Sequence, residues 1–185
     1  MPSDRERWDE RFAGELGARV SASDSFVLSA LSELGAPGGR AALDLASGTG
    51  RHALHLAELG YATSAWDVSP VALEILAQRA RARRLAVTTR AVDLTLELPG
   101  ERFDVVVVVD YLDRGLYARM AELMRPGGHA ILATFTDDWP GEHPSPRFRL
   151  RRGELGRGAA GMRTLRVEEQ HGRAGVVLQA LESPE

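Results

Sequence analysis

The sequence contains neither cysteine nor lysine. Without cysteine, the chain has no disulfide bond, no thiolate metal site and no cysteine nucleophile. Without lysine, all 23 of its basic side chains other than histidine are arginine. Because alanine and glycine are also abundant, we interpret the arginine content as a compositional bias and not as the sign of a particular function.

Long apolar runs and long basic blocks are also missing. The longest apolar run, residues 105–109, is far shorter than the ~18 residues that span a bilayer. The first residues are charged and lack the apolar region of a signal peptide. The formal net charge is -3, which does not favour a nucleic-acid or membrane surface as partner. We therefore expect a cytoplasmic protein without a nucleic-acid or membrane partner.

Length and composition are those of one folded domain. The 185 residues are 44% hydrophobic and 26% charged, which allows a sizeable core. Residues 1–38 are predicted to form a helical extension, because Trp8, Phe12 and Leu16 recur at helical spacing among charged residues. A second helix is expected to follow, capped by Ser23 or Asp24.

From residue 40 onward, predicted strands alternate with predicted helices. This alternation is typical of parallel strands joined by helical crossovers. The run 105–109 is apolar on both faces, as in a central parallel strand. The predicted strands are 41–45, 62–66, 86–91, 103–109 and 129–135, and the predicted helices are 51–59, 69–84 and 116–124.

Two further strands are predicted near the end of the chain. Strands 162–169 and 176–181 flank His171 and Gly172, a spacing typical of a hairpin. We therefore predict an α/β fold with a Rossmann-like, doubly wound, seven-stranded and mostly parallel sheet, a C-terminal antiparallel hairpin and an N-terminal helical lid. A single domain is expected, with a cofactor-binding core at 40–136 and an acceptor-side loop and terminal strands at 137–185.

Four aspartates lie in or directly after the first four predicted strands: Asp44, Asp67, Asp93 and Asp110. In an open α/β sheet, ligands bind beyond the carboxyl ends of the strands. Four carboxylates in such positions indicate a polar ligand that lies across the edge of the sheet. Asp67 follows the glycine-rich turn by some twenty residues, a position from which a carboxylate accepts both hydroxyls of a ribose.

The glycine-rich turn admits two nucleoside cofactors. Residues 48–53 match the dinucleotide pattern G-x-G-x-x-G/A, although this short pattern is weak. Asp44, just before the turn, is unusual for a dinucleotide site and compatible with S-adenosylmethionine. His52 and His55 share a helix face, but no third ligand accompanies them, so we expect no metal site.

Five segments in sequence order carry a resemblance to a known family. Residues 43–51 resemble motif I of class I S-adenosylmethionine-dependent methyltransferases, with Ala46 where that motif usually has its first glycine. The other segments that resemble motifs of this family are 66–69, 92–94, 103–109 and 123–132. Segments 8–12, 50–52 and 145–155 are similar to the small tellurite-resistance-type (TehB-like) branch, whose members carry an N-terminal lid.

The resemblance implies S-adenosylmethionine as cofactor and S-adenosylhomocysteine as product. Asp67 is then expected to hold the ribose, and Asp93 and the Leu94 backbone to face the adenine. Asp44 is expected to orient the turn or to meet the cofactor ammonium through water. The remaining residues expected to bind the cofactor are Ala46, Ser47, Gly48, Gly50, Arg51, Val68 and Asp110.

The same resemblance implies methyl transfer to a small-molecule acceptor by in-line displacement. Asp110 and Tyr111 are expected to position the methyl group and the acceptor. An NAD(P)-binding oxidoreductase and a catalytically inactive binding protein on this fold are the alternatives. The residues expected to contact the acceptor are Trp8, Arg11, Phe12, Arg114, His143 and Arg147.

Overall fold

Seven strands form one sheet in the computed structural model, which describes residues 3–182. The strands are β1 (Ala41–Leu45), β2 (Ala62–Asp67), β3 (Val87–Ala91), β4 (Phe103–Val109), β5 (Met124–Phe135), β6 (Met162–Gln170) and β7 (Arg173–Ala180). Their spatial order is β3-β2-β1-β4-β5-β7-β6, and only the pairs that involve β7 are antiparallel. The predicted fold class is confirmed, and the strand order reverses between β1 and β4.

Six α-helices accompany the sheet within residues 3–182. They are α1 (Asp4–Ala13), α2 (Glu15–Ala18), α3 (Ser25–Glu33), α4 (Arg51–Leu59), α5 (Pro70–Ala82) and α6 (Arg114–Ala118). A capping box between Ser3 and Glu6 begins α1. The side chain of Asp24 caps α3, as one of the two predicted caps. No helix in the described range 3–182 is long and apolar enough to cross a bilayer.

The helix predicted at 116–124 is wrong in its length. The chain forms α6 and then a 3-10 turn at Met120–Leu123, and β5 already begins at Met124. Met124 pairs with Phe103, and the register then shifts so that Val105 pairs with His129. A helix through Met124 would remove the first of these pairs. The predicted turn at 125–128 is therefore a bulge within the strand.

The hairpin at the C-terminal end is tighter than predicted. His171 and Gly172 both have positive φ, 52° and 76°, which is typical of the two-residue turns that match strand twist. As a result β7 begins at Arg173, three residues earlier than expected. A 3-10 turn at Leu155–Arg157 precedes β6.

The core lies on both faces of β4. Val106 and Val108 pack on one face with Leu43 and Trp66, whereas Val105 and Val107 pack on the other among residues that include α3 side chains. Residues 105–109 are buried throughout, as expected for a central strand covered on both sides. This packing leaves the carboxyl ends of β1, β2, β3 and β4 free at one edge of the sheet.

Candidate functional site

A cavity of about 580 Å³, including the part that opens to solvent, lies at this edge. The sheet supplies residues that end or follow four neighbouring strands, and α1 covers the cavity from the opposite side. The spacing of parallel strands makes this span about 14 Å from β3 to β4. The lining residues are Asp4, Trp8 and Phe12 from α1, Ala46 and Gly48 after β1, Asp67 and Val68 at β2, 92–95 after β3, and Asp110 and Tyr111 after β4.

The lining of the cavity is acidic. Among the described residues, four aspartates contribute to it and no arginine or histidine does. Such a lining fits a ligand that carries hydroxyl groups and positive charge, because carboxylates accept hydrogen bonds and attract cations. The four aspartates are Asp4, Asp67, Asp93 and Asp110.

The turn after β1 has a left-handed backbone at three of its positions. The φ angles of Ala46, Gly48 and Gly50 are 54°, 52° and 80°. A Cβ on Gly48 would lie 3.2 Å from the Phe12 ring, and one on Gly50 would lie 2.1 Å from Leu76. The two glycines are therefore needed both for the backbone and for the close packing of the turn.

Two backbone amides of the turn and of α4 are already bound by carboxylates. Gly48 N–H donates to Asp67 at 2.7 Å, and Ala53 N–H donates to Asp44 at 2.8 Å. A dinucleotide would need such amides for its pyrophosphate.

Burial raises the pKa of Asp44 to about 7, against the opposing effect of the Ala53 amide. Asp44 thus binds the first turn of α4, and it does not line the cavity.

Asp67 and Asp93 face the cavity from β2 and from the segment after β3. The second oxygen of Asp67 accepts from Ser69 N–H at 2.9 Å, so the backbone holds the carboxylate rigidly. Burial raises the pKa of Asp67. Asp93 accepts from the amide and the hydroxyl of Thr95 through Oδ1. The structure thus brings together the two carboxylates expected to bind a nucleoside.

Asp9 joins the first helix to the segment that directly follows β2. Asp9 Oδ1 accepts from the Ser69 hydroxyl at 2.5 Å and from Val71 N–H at 3.4 Å. On the same helix, the rings of Trp8 and Phe12 stack with their centroids 5.6 Å apart. These contacts hold α1 over the cavity.

A second attachment of the N-terminal segment runs through Arg79 of α5. Its guanidinium donates to Thr49 Oγ1 at 2.7 Å and to the carbonyls of Gly17 and Arg19 at 2.8 and 3.1 Å. Neither Asp9 nor Arg79 was among the residues predicted from the sequence to be functional. Asp9 lies within the segment 8–12 that carried the resemblance, whereas Arg79 is one arginine among many and has no local signal.

Asp110 stands at the β4 end of the cavity with a backbone φ of 58°. Its two oxygens accept from different arginines, Arg51 at 2.7 Å and Arg173 at 2.5 Å. Arg173 also donates to Asp24 at 2.8 Å. The backbone N–H of Asp24 donates to His52 Nε2 at 3.1 Å. The start of β7, the cap of α3 and the start of α4 therefore meet at Asp110.

Tyr111 lines the cavity next to Asp110. Burial raises its pKa to about 12, and neighbouring carboxylates add to the shift. The phenol is therefore protonated at neutral pH, which makes it a hydrogen-bond donor and not a base. Its backbone is held in place because Tyr117 donates to the Tyr111 carbonyl at 2.6 Å.

Of the residues expected to bind the cofactor, the cavity is lined by Ala46, Gly48, Asp67, Val68, Asp93, Leu94 and Asp110 and not by Asp44, Ser47, Gly50 and Arg51. Ser47 Oγ is buried and has no hydrogen-bond partner in the described range.

His52 is buried. Its burial, and to a smaller extent the positive charge of the neighbouring Arg51, lowers its pKa to about 3. It therefore accepts the Asp24 amide as a neutral ring.

Some of the residues expected to contact the acceptor line the cavity, and the others do not. Trp8 and Phe12 line the cavity, and Arg11 lies 4.6 Å above the Trp8 ring without lining it. The other three candidates lie elsewhere. Arg114 pairs with Glu154 at 2.5 Å, the His143 carbonyl accepts from Trp139, and Arg147 covers the Phe148 ring.

Comparison with known proteins agrees with this geometry. Residues 42–128 match the methyltransferase domain family. A demethylmenaquinone methyltransferase of Tropheryma whipplei (strain Twist) is 30% identical over 122 residues, which are 63% of this chain and 50% of that protein. The chain spans about half the length of the curated relatives it matches first.

Solved structures share the fold. TehB from Haemophilus influenzae has a TM-score of 0.74 and 21% identity, over 95% of this chain and 67% of that one. The magnesium protoporphyrin IX methyltransferase ChlM from Synechocystis PCC 6803, with bound SAM, has a TM-score of 0.67 and 18% identity, over 99% of both chains. These likenesses agree with the fold predicted from the motifs.

Proposed function

We propose that the chain is a class I S-adenosylmethionine-dependent methyltransferase that acts on a small molecule, since residues 42–128 match the methyltransferase domain family. One observation carries the proposal. The cavity across β3, β2, β1 and β4 is lined by four carboxylates and by no basic side chain. S-adenosylmethionine is a cation at sulfur and at its ammonium, and its ribose offers two hydroxyls.

The sheet order supports one orientation of this cofactor. Asp67 and Asp93 belong to β2 and to the segment after β3, and they would bind the ribose and the adenine. Ala46 and Gly48 would face the methionine part, and Asp110 and Tyr111 the methyl end. The protein's own contribution would be to bind, to orient and to exclude water, because the sulfonium already carries an activated methyl group.

Trp8 and Phe12 support water exclusion from the acceptor side. Both lie on α1 over the cavity, and Phe12 packs against the Gly48 backbone. An acceptor held between these rings and Tyr111 would approach the methyl group in line with the bond that breaks. Tyr111 would donate a hydrogen bond to it. The net charge of -3 and the acidic cavity do not favour a nucleic-acid acceptor and so support a small-molecule one.

The oxidoreductase alternative is not favoured by the site. A pyrophosphate would meet carboxylates in place of free amides at the glycine turn, since Asp67 and Asp44 occupy those amides. It would also find no cation in the lining. Titration calorimetry with S-adenosylhomocysteine and with NADH separates the two proposals, and we expect saturable binding of the first only. Binding of NADH alone would overturn our proposal.

Catalysis is tested separately from binding. We expect S-adenosylhomocysteine release from S-adenosylmethionine when the protein is incubated with a panel of thiols and oxyanions, and loss of that release in Asp67→Ala. If the protein binds S-adenosylmethionine but releases no S-adenosylhomocysteine with every acceptor class tried, hydroxyl and amine acceptors included, the result would support the catalytically inactive alternative.

A further inference from the structure

We infer that Arg173, together with Arg51, is a positioning residue that cancels the charge of Asp110 and so sets how strongly the site prefers S-adenosylmethionine over S-adenosylhomocysteine. The inference rests on the proposed function, which places the sulfur at the β4 end of the cavity. It concerns a residue of the C-terminal hairpin that no cofactor motif contains.

The geometry at Asp110 is that of a carboxylate bound on both sides. Arg51 donates to Oδ2 at 2.7 Å and Arg173 to Oδ1 at 2.5 Å, so each oxygen has its own guanidinium. Arg173 is itself held by Asp24 at 2.8 Å and lies 4.3 Å from the centroid of the Phe135 ring. The side chains of Asp110 and Arg173 are only 32% and 26% exposed, so solvent screens the pairs less than at an open surface.

The charges of this cluster sum to zero. Asp24 and Asp110 carry two negative charges, and Arg51 and Arg173 carry two positive ones. Asp110 is the member of the cluster that lines the cavity. The other cavity aspartates lie on α1, β2 and the segment after β3. The charge of Asp110 itself is therefore neutralised at its end of the cavity, although the cavity as a whole is acidic.

Neutrality at this end has a consequence for the reaction. The two ligands differ at sulfur, which is positive in S-adenosylmethionine and neutral in S-adenosylhomocysteine. An uncompensated Asp110 would hold the cation and oppose methyl transfer, because the positive charge on sulfur decreases in the transition state. Compensation by two arginines removes this ground-state preference while it keeps Asp110 in a fixed position.

The experiment measures the dissociation constants of both ligands for each variant. In Arg173→Gln, the affinity ratio should shift in favour of S-adenosylmethionine by about fivefold, the effect of one added charge several ångström away in a medium of intermediate dielectric. Arg51→Gln should also shift the ratio in favour of S-adenosylmethionine, because Arg51 binds the other oxygen of Asp110. Arg173→Lys keeps the charge and should keep most of the ratio.

Two controls make the result specific. Arg166 has a matching environment, because its side chain is 25% exposed, pairs with Glu33 and lies 4.9 Å from the centroid of the Phe26 ring. Arg166→Gln should leave the ratio unchanged. The double variant Arg173→Gln with Asp110→Asn should restore it, since the uncompensated charge is gone.

A structural role alone would weaken both ligands equally and would leave their ratio constant. An unchanged ratio in Arg173→Gln and Arg51→Gln, with circular dichroism spectra like that of the wild type, overturns the inference. If the wild type binds neither ligand, the proposed function fails instead. The two failures are thus distinguishable.

Discussion

The hydroxyl of Ser69 donates to Asp9 at 2.5 Å, although the two residues are sixty positions apart. Ser69 also caps α5 by accepting the Ala72 amide, and its own amide donates to Asp67. The first helix is therefore bonded to the same short segment that holds the carboxylate assigned to the ribose. A movement of α1 and the binding of a nucleoside are expected to influence each other through this segment.

The first prediction concerns this bond. Asp9→Ala should loosen α1 and weaken S-adenosylhomocysteine binding by about 1–2 kcal/mol, because a charge-assisted hydrogen bond at a partly exposed site is lost. Hydrogen exchange of residues 4–13 should become faster. Glu10→Ala is the matched control on the exposed side of the same helix. Equal exchange rates in the two variants would show that Asp9 does not hold the helix.

The second prediction concerns Asp67. Asp67→Ala should weaken S-adenosylhomocysteine binding by about 1–3 kcal/mol, since charge-assisted hydrogen bonds to the ribose would be lost. Calorimetry measures the change, and Asp137→Ala, an exposed aspartate outside the cavity lining, serves as control. An unaltered affinity would contradict the ribose assignment.

The third prediction concerns the alanine in the glycine turn. Ala46 has a φ of 54°, a region in which a Cβ costs ~1 kcal/mol or more and glycine costs nothing. Ala46→Gly should therefore increase the free energy of unfolding by up to ~1 kcal/mol, after allowance for the greater entropy of the unfolded chain. Denaturant titration measures this change.

Ala42→Gly supplies the comparison for Ala46. Ala42 is a buried residue of β1 outside the left-handed region, so a glycine there should destabilise the protein. Destabilisation of similar size by both substitutions would mean that Ala46 is not strained.

The fourth prediction concerns pH. The folded-state pKa of Asp44 is about 7, above its ordinary value of 3.8, so the folded protein binds a proton that the unfolded chain releases. This proton stabilises the folded state fully below pH 4, and the stabilisation is lost as the pH rises through 7. The free energy of unfolding changes by about 4 kcal/mol in total because of this residue. Asp67 contributes in the same direction.

The difference between wild type and Asp44→Asn isolates this residue. The amide cannot ionise, so the unfolding free energy of the variant should fall less steeply between pH 5 and 8. Denaturant titrations at four pH values in this range provide the measurement. Parallel curves for the two proteins would show that Asp44 does not titrate in this interval.

Local patterns allowed much of the site to be predicted. Asp67 and Asp93 line one cavity, as expected from their place at the ends of predicted strands. The glycine turn and the caps of α3 and α5 also follow from local chemistry, because the residues that form them are near neighbours in sequence. The length of α6 does not, because pairing of Met124 with Phe103 decides where the preceding segment must end.

The acceptor side illustrates the limit of such reasoning. Arg114, His143 and Arg147 were chosen because they lie in segments near the expected acceptor side, yet none of them lines the cavity. Arg173 contacts Asp110 across 63 positions, and no local pattern marks it among the many arginines. Its role depends on the two-residue turn that starts β7 early.

The sequence by itself determined the order of strands and helices, the doubly wound sheet and the edge where the aspartates collect. These features depend on periodicity, turn residues and the fixed direction of parallel strands, all of which act over short distances along the chain. Only the tertiary structure decided which charges compensate one another and which side chains hold the first helix over the cavity. Those outcomes depend on side chains that meet across distant segments, where the free energy of each pair is set by burial and by its other partners.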